Sequence, residues 1–394
     1  MRVRGFRSLH DVEWHPGDLN VVIGPNGSGK SNLLRVLELL SNSAAGRLGK
    51  YVSQAGGFWP LLWDGQVTGL WFGLETSARE EGESQARHGL TYELELQRLG
   101  FTSGYRIVRE LLSSCPWDER GEPLETLKYL ERSPSHSVLF DEREGARTAT
   151  EESVDPNESL LSLVSSPFTT KSARIADYQA GLEGWRIYQD FQTHPEAPVR
   201  RAPISRRELE MAPDGRNLVS FLHTHYTSNR EFKRSIDDAM RVAFDEEFEE
   251  LVFPPDADQR IQLRVRWRSL KREQSVADLS DGTLRFLFLI AVLADPQPPP
   301  LIAIDEPETG LHPSMFPIVG DHALEAARHT QIILTTHSAD VLDAFDEEIP
   351  TTTVVHWEEG KTRLQVVSQE ELEYWLRRYT LGKLYRTGEL EGMD

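Results

Sequence analysis

Apolar positions along the chain fall into three kinds of pattern. Short continuous runs form the first kind: Leu19-Asn20-Val21-Val22-Ile23, Leu301-Ile302-Ala303-Ile304 and Gln331-Ile332-Ile333-Leu334-Thr335-Thr336. Each is bounded by glycine-rich or polar sequence and predicts a short strand buried on both faces. Strict alternation is the second kind. It marks residues 91–96, with 105–112 as a candidate partner strand, and residues 261–268. In the last of these Ile261, Leu263, Val265 and Trp267 share one face, while Arg264, Arg266 and Arg268 share the other. Helical spacing is the third kind. It covers residues 32–40, 172–192 and 229–250, the last with Phe232, Ile236, Met240, Ala243 and Phe244 on one side. Residues 284–293 form a wholly apolar helix, and 352–357, 363–367 and 370–378 read as strand, strand and helix. Residues 113–170, rich in Ser, Pro, Glu and Asp, predict loops.

The first buried run feeds Gly24-Pro25-Asn26-Gly27-Ser28-Gly29-Lys30-Ser31, and a helix follows at once. This is the spacing G-x-x-x-x-G-K-[ST] in the strand–turn–helix context that gives it meaning. A glycine-rich turn lets successive backbone N–H groups converge on phosphate oxygens, and the helix N-terminus adds partial positive charge. Lys30 is placed to reach the β- and γ-phosphates and Ser31 to hold Mg²⁺. Asn26, Gly27, Ser28, Gly29, Lys30, Ser31 and Asn32 are therefore the candidate ATP-binding residues. The second buried run ends in Asp305-Glu306. Two acids at the end of a buried strand are costly unless they meet a cation or water. Beside a phosphate loop, Asp305 would hold Mg²⁺ through water and Glu306 would polarise an attacking water. The third run ends in His337-Ser338, at the edge where open α/β sheets bind ligands. Leu279-Ser280-Asp281-Gly282-Thr283 precedes the apolar helix, and Ser280 can cap it.

The ordered set GPNGSGKS, LSDGT, LIAIDEPETGLHP and TTHS resembles the ABC-type ATPases of the SMC/RecF/OLD group. More narrowly, it resembles bacterial AAA ATPases with an OLD-like or RecF-like head. Val3-Arg4-Gly5-Phe6-Arg7-Ser8-Leu9 is similar to the first strand of that group, and Tyr379-Thr380-Leu381-Gly382-Lys383-Leu384-Tyr385 to its C-terminal segment. The signature is LSDG rather than LSGGQ, which suits this subgroup and not membrane transporters. The resemblance implies an α/β fold: a P-loop ABC-type head with a mixed, mainly parallel sheet, an antiparallel N-terminal β lobe and a helical insertion. On this reading residues 1–112 form the first part of the head, 113–259 a loop-rich and helical insertion lobe, and 260–394 the second part. The many prolines between 116 and 213 exclude the long coiled coil of true SMC proteins. The segment after His337 shows no Glu and Asp-x-Asp on separate strands, as a TOPRIM nuclease requires, so a nuclease would be a separate chain.

The resemblance also implies roles. His337 would contact the γ-phosphate, and Ser280 and Gly282 would contact the γ-phosphate held by an opposing copy. ATP would then glue a homodimer and slow hydrolysis would release it. Gln54, beside Gly56-Gly57-Phe58-Trp59, is one position for the Mg²⁺-sensing glutamine of such heads, and a plain turn is the other reading. The biological role implied is a sensor ATPase in DNA maintenance or anti-phage defence, working with a separate nuclease or other effector. A nucleotide-gated scaffold with negligible turnover is the alternative.

Composition narrows the setting. One cysteine, Cys115, offers no disulfide framework and suits a reducing, cytoplasmic compartment. No run of about eighteen apolar residues predicts a membrane span. A net charge of −20 opposes binding of nucleic acid by the whole surface. Two local basic groups stand against that background: Arg264, Arg266 and Arg268 on their strand face, and Arg200, Arg201, Arg206 and Arg207. Each is either a solvated face paired with neighbouring acids or a DNA contact.

Overall fold

The alternating segments pair with one another, and the continuous apolar runs do the same separately. These facts come from a computed structural model describing residues 1–392 except 77–87, 101, 117–125, 135, 142–145, 150–154, 166–171 and 346–347. The chain packs as two units. The first comprises Met1–His15, Gly27–Trp185 and Val355–Leu364, and the second Pro16–Asn26, Arg186–Val354 and Gln365–Asp394.

The first unit is built on an eight-stranded antiparallel sheet. Its order is Leu9–Glu13, Arg2–Phe6, Gly69–Thr76, His88–Arg98, Tyr105–Pro116, Leu127–Ser133, His136–Asp141 and Ala146–Ala149. Its apolar face, including Val3, Phe6, Phe72, Leu94 and Leu112, shares a core with Val36, Leu39 and Leu40 of the helix Lys30–Ala44. Glu110 is fully buried here and fully used. Its carboxylate accepts from the Tyr92 and Ser159 hydroxyls and from the N–H groups of Leu160 and Leu161.

The second unit carries the parallel sheet. Arg186–Tyr188, Leu301–Asp305, Gln331–Thr336, Leu19–Ile23 and the first residues of Thr351–Glu358 lie side by side in that order, all parallel. The apolar helix Asp281–Leu293 is buried from Thr283 to Leu293 except at Arg285. Leu301–Asp305 and Gln331–Thr336 form where the unbroken runs predict strands. An α/β head with a parallel sheet and an antiparallel β lobe is thus present, as the sequence implies.

Three differences have physical causes. The stretch predicted as loops at 113–170 contributes strands at Leu127–Ser133, His136–Asp141 and Ala146–Ala149 among its described residues. Only one face of such strands needs to be apolar, and polar-rich composition hides them. The helical pattern predicted for 172–192 covers only Ala173–Glu183 and is followed by the strand Arg186–Tyr188. Likewise the helix predicted for 229–250 is Arg230–Ala243. Asn229 caps it through the Glu231 and Phe232 N–H groups. Asp245 and Glu246, both at positive φ, turn the chain into Phe248–Val252.

Asn20 sits at 0% exposure in the phosphate-loop strand. Its amide accepts from Gly17 N–H (2.7 Å) and donates to the carbonyls of Gly17 (2.8 Å) and Ile332 (3.0 Å). Asn20→Ala leaves these groups unpaired in a dry interior. It is expected to cost about 3 kcal/mol, read as a lower urea midpoint at unchanged slope.

Candidate active site

The phosphate loop leaves the sheet at a defined place. Strand Leu19–Ile23 runs beside Gln331–Thr336 with Ile23 opposite Thr336, and Gly24 N–H points at the Thr336 carbonyl (3.4 Å). Beyond the loop, Lys30 opens the helix, and Gly29 is its N-cap with no capping side chain. A helix N-terminus of this kind carries partial positive charge and suits an anion. Gly29 adopts φ 109, and a Cβ there would lie 2.0 Å from Thr362 Oγ1 and 2.8 Å from Ser8 Oγ. No other residue fits. On its other side the loop is open: a Cβ on Gly27 would meet nothing within 4 Å. Ser28 is 1% exposed, and its hydroxyl has no partner in the structure. Lys30 is buried. The glycine geometry and the unsatisfied Ser28 hydroxyl both fit a bound phosphate chain.

The Asn32 side chain has a task that its place in the motif does not spell. Its amide donates to Ser8 Oγ (2.7 Å) and accepts from Arg35 (3.1 Å). Thr362 Oγ1 in turn donates to the Ser28 carbonyl (2.8 Å) and pairs with the Ser8 hydroxyl (2.7 Å). Asn32, Ser8 and Thr362 therefore brace the loop from behind.

The second unit supplies the acids. Asp305 ends its strand opposite Thr335, whose hydroxyl donates to the Asp305 carboxylate. Glu306 follows at φ 48, a left-handed conformation that costs energy for a side-chain-bearing residue, with its N–H bonded to the Thr335 carbonyl (2.9 Å). Its Oε1 lies 3.1 Å from His337 Nδ1. The structure thus brings Asp305, Glu306 and His337 together. It also adds two residues that the sequence did not single out.

The first is Glu308, whose side chain is 7% exposed. Its Oε1 accepts from the Thr336 hydroxyl and the His337 N–H (3.4 Å) and lies 3.6 Å from His337 Nδ1, while Oε2 has no partner. Burial raises the Glu308 carboxyl above its usual range, and the Thr336 hydrogen bond offsets only part of this. The imidazole of His337 therefore stands between two glutamates. The second is Gln189, which follows the strand Arg186–Tyr188 beside the acid strand. Its Nε2 is buried without a partner. Tyr188, Gln189, Arg285, Asp305, Glu306 and Thr309 line one open cleft. Gln54, by contrast, closes the exposed end of helix Leu48–Gln54 in the first unit. A three-residue strand leaves almost no periodicity, which is why Gln189 was not legible.

The signature segment is equally specific. Ser280 Oγ accepts from Thr283 N–H (3.1 Å) and pairs with the Thr283 hydroxyl (2.8 Å), capping helix Asp281–Leu293. A Cβ on Gly282 would lie 2.7 Å from the Gly310 carbonyl, so the first turn of this helix rests directly on the loop that follows Glu306. The basic strand face is paired with acids: Arg266 with Glu250 and Glu273, and Arg268 with Glu246 (3.6 Å), while Arg264 reaches Gln262 (2.9 Å). In the other basic group, Arg206 pairs with Glu208, and Arg200 faces inward.

The sequence profile of a family described as "AAA domain, putative AbiEii toxin, Type IV TA system" matches residues 19–343. The chain belongs to this AAA-domain family. The AAA-domain protein shares its fold with SMC heads. An SMC head bound to the C-winged-helix domain of ScpA superposes with a TM-score of 0.51 at 14% identity, over 95% of this chain and 98% of the other. An SMC head with an extended coiled coil, bound to the C-terminal domain of ScpA derived from Pyrococcus furiosus, gives 0.50 at 13%, over 95% and 97%. The cytochrome c biogenesis ATP-binding export protein CcmA of Rhodospirillum rubrum is 64% identical over 49 residues, 12% of this chain. The chain spans about a fifth (21%) of that relative's length. Its family is that of these AAA domains, and its fold is the P-loop fold of SMC heads. Among its described residues no helix is long and apolar enough to cross a membrane.

The raised Glu308 carboxyl carries a signature in pH. Between the ordinary carboxyl value and the raised native one, the folded state keeps a proton that the unfolded chain has released. Stability must therefore fall as pH rises through that window. Glu308→Gln, which mimics the protonated acid, should flatten this fall in chemical denaturation measured across the window. An unchanged slope would place the proton elsewhere.

Proposed function

We propose that this AAA-domain protein binds and hydrolyses ATP with Mg²⁺, and that ATP joins two copies of it into a switch. One observation carries the reading. The strand feeding the phosphate loop and the strands ending in Asp305 and His337 are adjacent and parallel, so Gly24, Asp305 and His337 leave the sheet at one edge. Backbone N–H groups of Asn26–Ser31 and the Lys30 ammonium hold the phosphates. Ser31 and Asp305 would hold Mg²⁺, which would supply positive charge to offset that of the phosphates. Glu306 accepts the proton of the attacking water, and the products are ADP and phosphate. His337, hydrogen-bonded to Glu306, keeps that carboxylate in place and contacts the γ-phosphate. Gln189, with its unpaired buried amide in the same cleft, binds the water shared by Mg²⁺ and nucleophile.

Ser280 and Gly282 serve the γ-phosphate of the opposing copy, since helix Asp281–Leu293 ends in N–H donors that ADP has nothing to engage. The family description, which speaks of a putative toxin in a type IV TA system, supports a defence role carried out with a second protein. The same ATP-driven closure suits DNA maintenance. DNA contact through Arg264, Arg266 and Arg268 would require the acidic partners of Arg266 and Arg268 to be displaced.

Lys30→Ala is expected to abolish ATP binding, read by calorimetry, because no other cation is built into the loop. Glu306→Gln keeps the shape and removes the base, so turnover should fall about 100-fold or more. Light scattering should then show a dimer with Mg-ATP and a monomer with Mg-ADP or no nucleotide. A nucleotide-independent mass would sink the ATP-driven dimer, and negligible wild-type turnover would favour the scaffold alternative. Gln189→Ala should lower kcat about tenfold with ATP affinity unchanged. Equal loss in both would make Gln189 a binding residue only.

A further inference from the structure

Away from the acid edge, Arg200 is the side chain whose engagement the fold itself does not explain. It ends a short 3₁₀ turn, Pro198–Arg200, and its side chain is 8% exposed. Its Nε donates to the Thr193 carbonyl (2.6 Å). Its Nη1 reaches the carbonyls of Leu279 (2.7 Å), Ala277 (3.1 Å) and Val276 (3.4 Å). Its Nη2 donates to the Asp281 carboxylate (2.6 Å), which it holds below the usual carboxylate range. Burying a guanidinium is costly, and one carboxylate that is itself 63% exposed does not explain it. The arginine is spent on backbone. Three of its carbonyls belong to the turn that delivers the chain to Ser280, and the fourth, Thr193, lies on the segment that leaves Gln189.

We propose that Arg200 is a positioning residue for the signature. It sets the pose in which Ser280 and Gly282 meet the nucleotide of a second copy, and it ties that pose to the segment carrying Gln189. This rests on the reading that ATP joins two copies. The geometry is specific to a planar fork. A lysine has one charged nitrogen with three donors and cannot span a carbonyl on one segment, two or three on another and a carboxylate beyond. The other supports of the turn are local: Ser275 caps Ala277 N–H (3.3 Å), and Val276 N–H meets the Leu263 carbonyl (2.9 Å). The helix beyond is buried along its length and capped by Ser280 itself. Loss of the fork therefore loosens the presentation of the signature before it loosens the fold.

The test uses the full chain. In the Glu306→Gln background with Mg-ATP, Arg200→Lys is expected to raise the dimer dissociation constant about tenfold, measured by light scattering over a dilution series. ATP affinity of the monomer should stay unchanged. In the wild-type background Arg200→Lys should lose turnover. Mixing it with Lys30→Ala should restore more turnover than the two give separately, because the intact phosphate loop of one copy then meets the intact signature of the other. A merely structural role would not complement in this way. If Glu306→Gln alone fails to dimerise, the dimer reading falls and this inference falls with it. If Glu306→Gln dimerises and Arg200→Lys leaves that dimer as tight, or the mixture shows no gain, the inference is overturned and the dimer reading stands. Should Arg200→Lys not fold, Asp281→Asn decides. It removes only the exposed end of the network and should weaken the Glu306→Gln dimer about threefold, and an unchanged dimer would overturn the proposal.

Discussion

Parallel register is the constraint on which the site depends. Antiparallel strands alternate the ends at which the chain turns, whereas parallel strands deliver every turn to the same edge. Ile23 lies opposite Thr336, and Asp305 opposite Thr335, so segments from opposite ends of the sequence release their loops together. Register also selects the side chains. The hydroxyls of Thr335 and Thr336 serve Asp305 and Glu308 respectively, and successive residues point to opposite faces. A slip of one residue would turn both hydroxyls away from their carboxylates. Apolar Ile332, Ile333 and Leu334, each essentially unexposed, make such a slip costly.

Around that edge the chain concentrates uncomfortable chemistry. Glu306 is left-handed, Glu308 is buried with one oxygen unpaired, and Gln189 has an unpaired buried amide. Stable domains tolerate few such groups, and their gathering in one place is what a ligand-binding edge looks like before its ligand arrives. Glu110 of the first unit is the contrast, a buried carboxylate with a donor for each oxygen.

The sequence made some of this legible and hid the rest for definable reasons. Unbroken runs such as Leu301–Ile304 and Gln331–Thr336 can only be buried strands, so the parallel sheet and its acid and histidine termini could be read directly. The phosphate loop was legible because its spacing has one structural meaning between a strand and a helix. Arg186–Tyr188 was hidden by its length, and with it Gln189. Strands such as Leu127–Ser133 were hidden because half of their residues face water and their composition is that of a loop. Glu308 and Arg200 were hidden for another reason: their roles lie in hydrogen bonds to backbone across large gaps in sequence, which leave no spacing to detect. Asn32 carries a task that its motif position does not spell, since its side chain braces Ser8.

Thr362 has a consequence for the order of events during synthesis. It presses on Gly29 and bonds to the Ser28 carbonyl, closing the back of a loop that was translated more than three hundred residues earlier. The strands that flank the loop's own strand come from Gln331–Thr336 and Thr351–Glu358, also late in the chain. A nascent chain emerging from the ribosome therefore carries the phosphate-binding motif, with Ser8 and Asn32, long before the flanking strands and Thr362 that complete its shape. The motif is spelled locally, and its shape waits on residues translated much later.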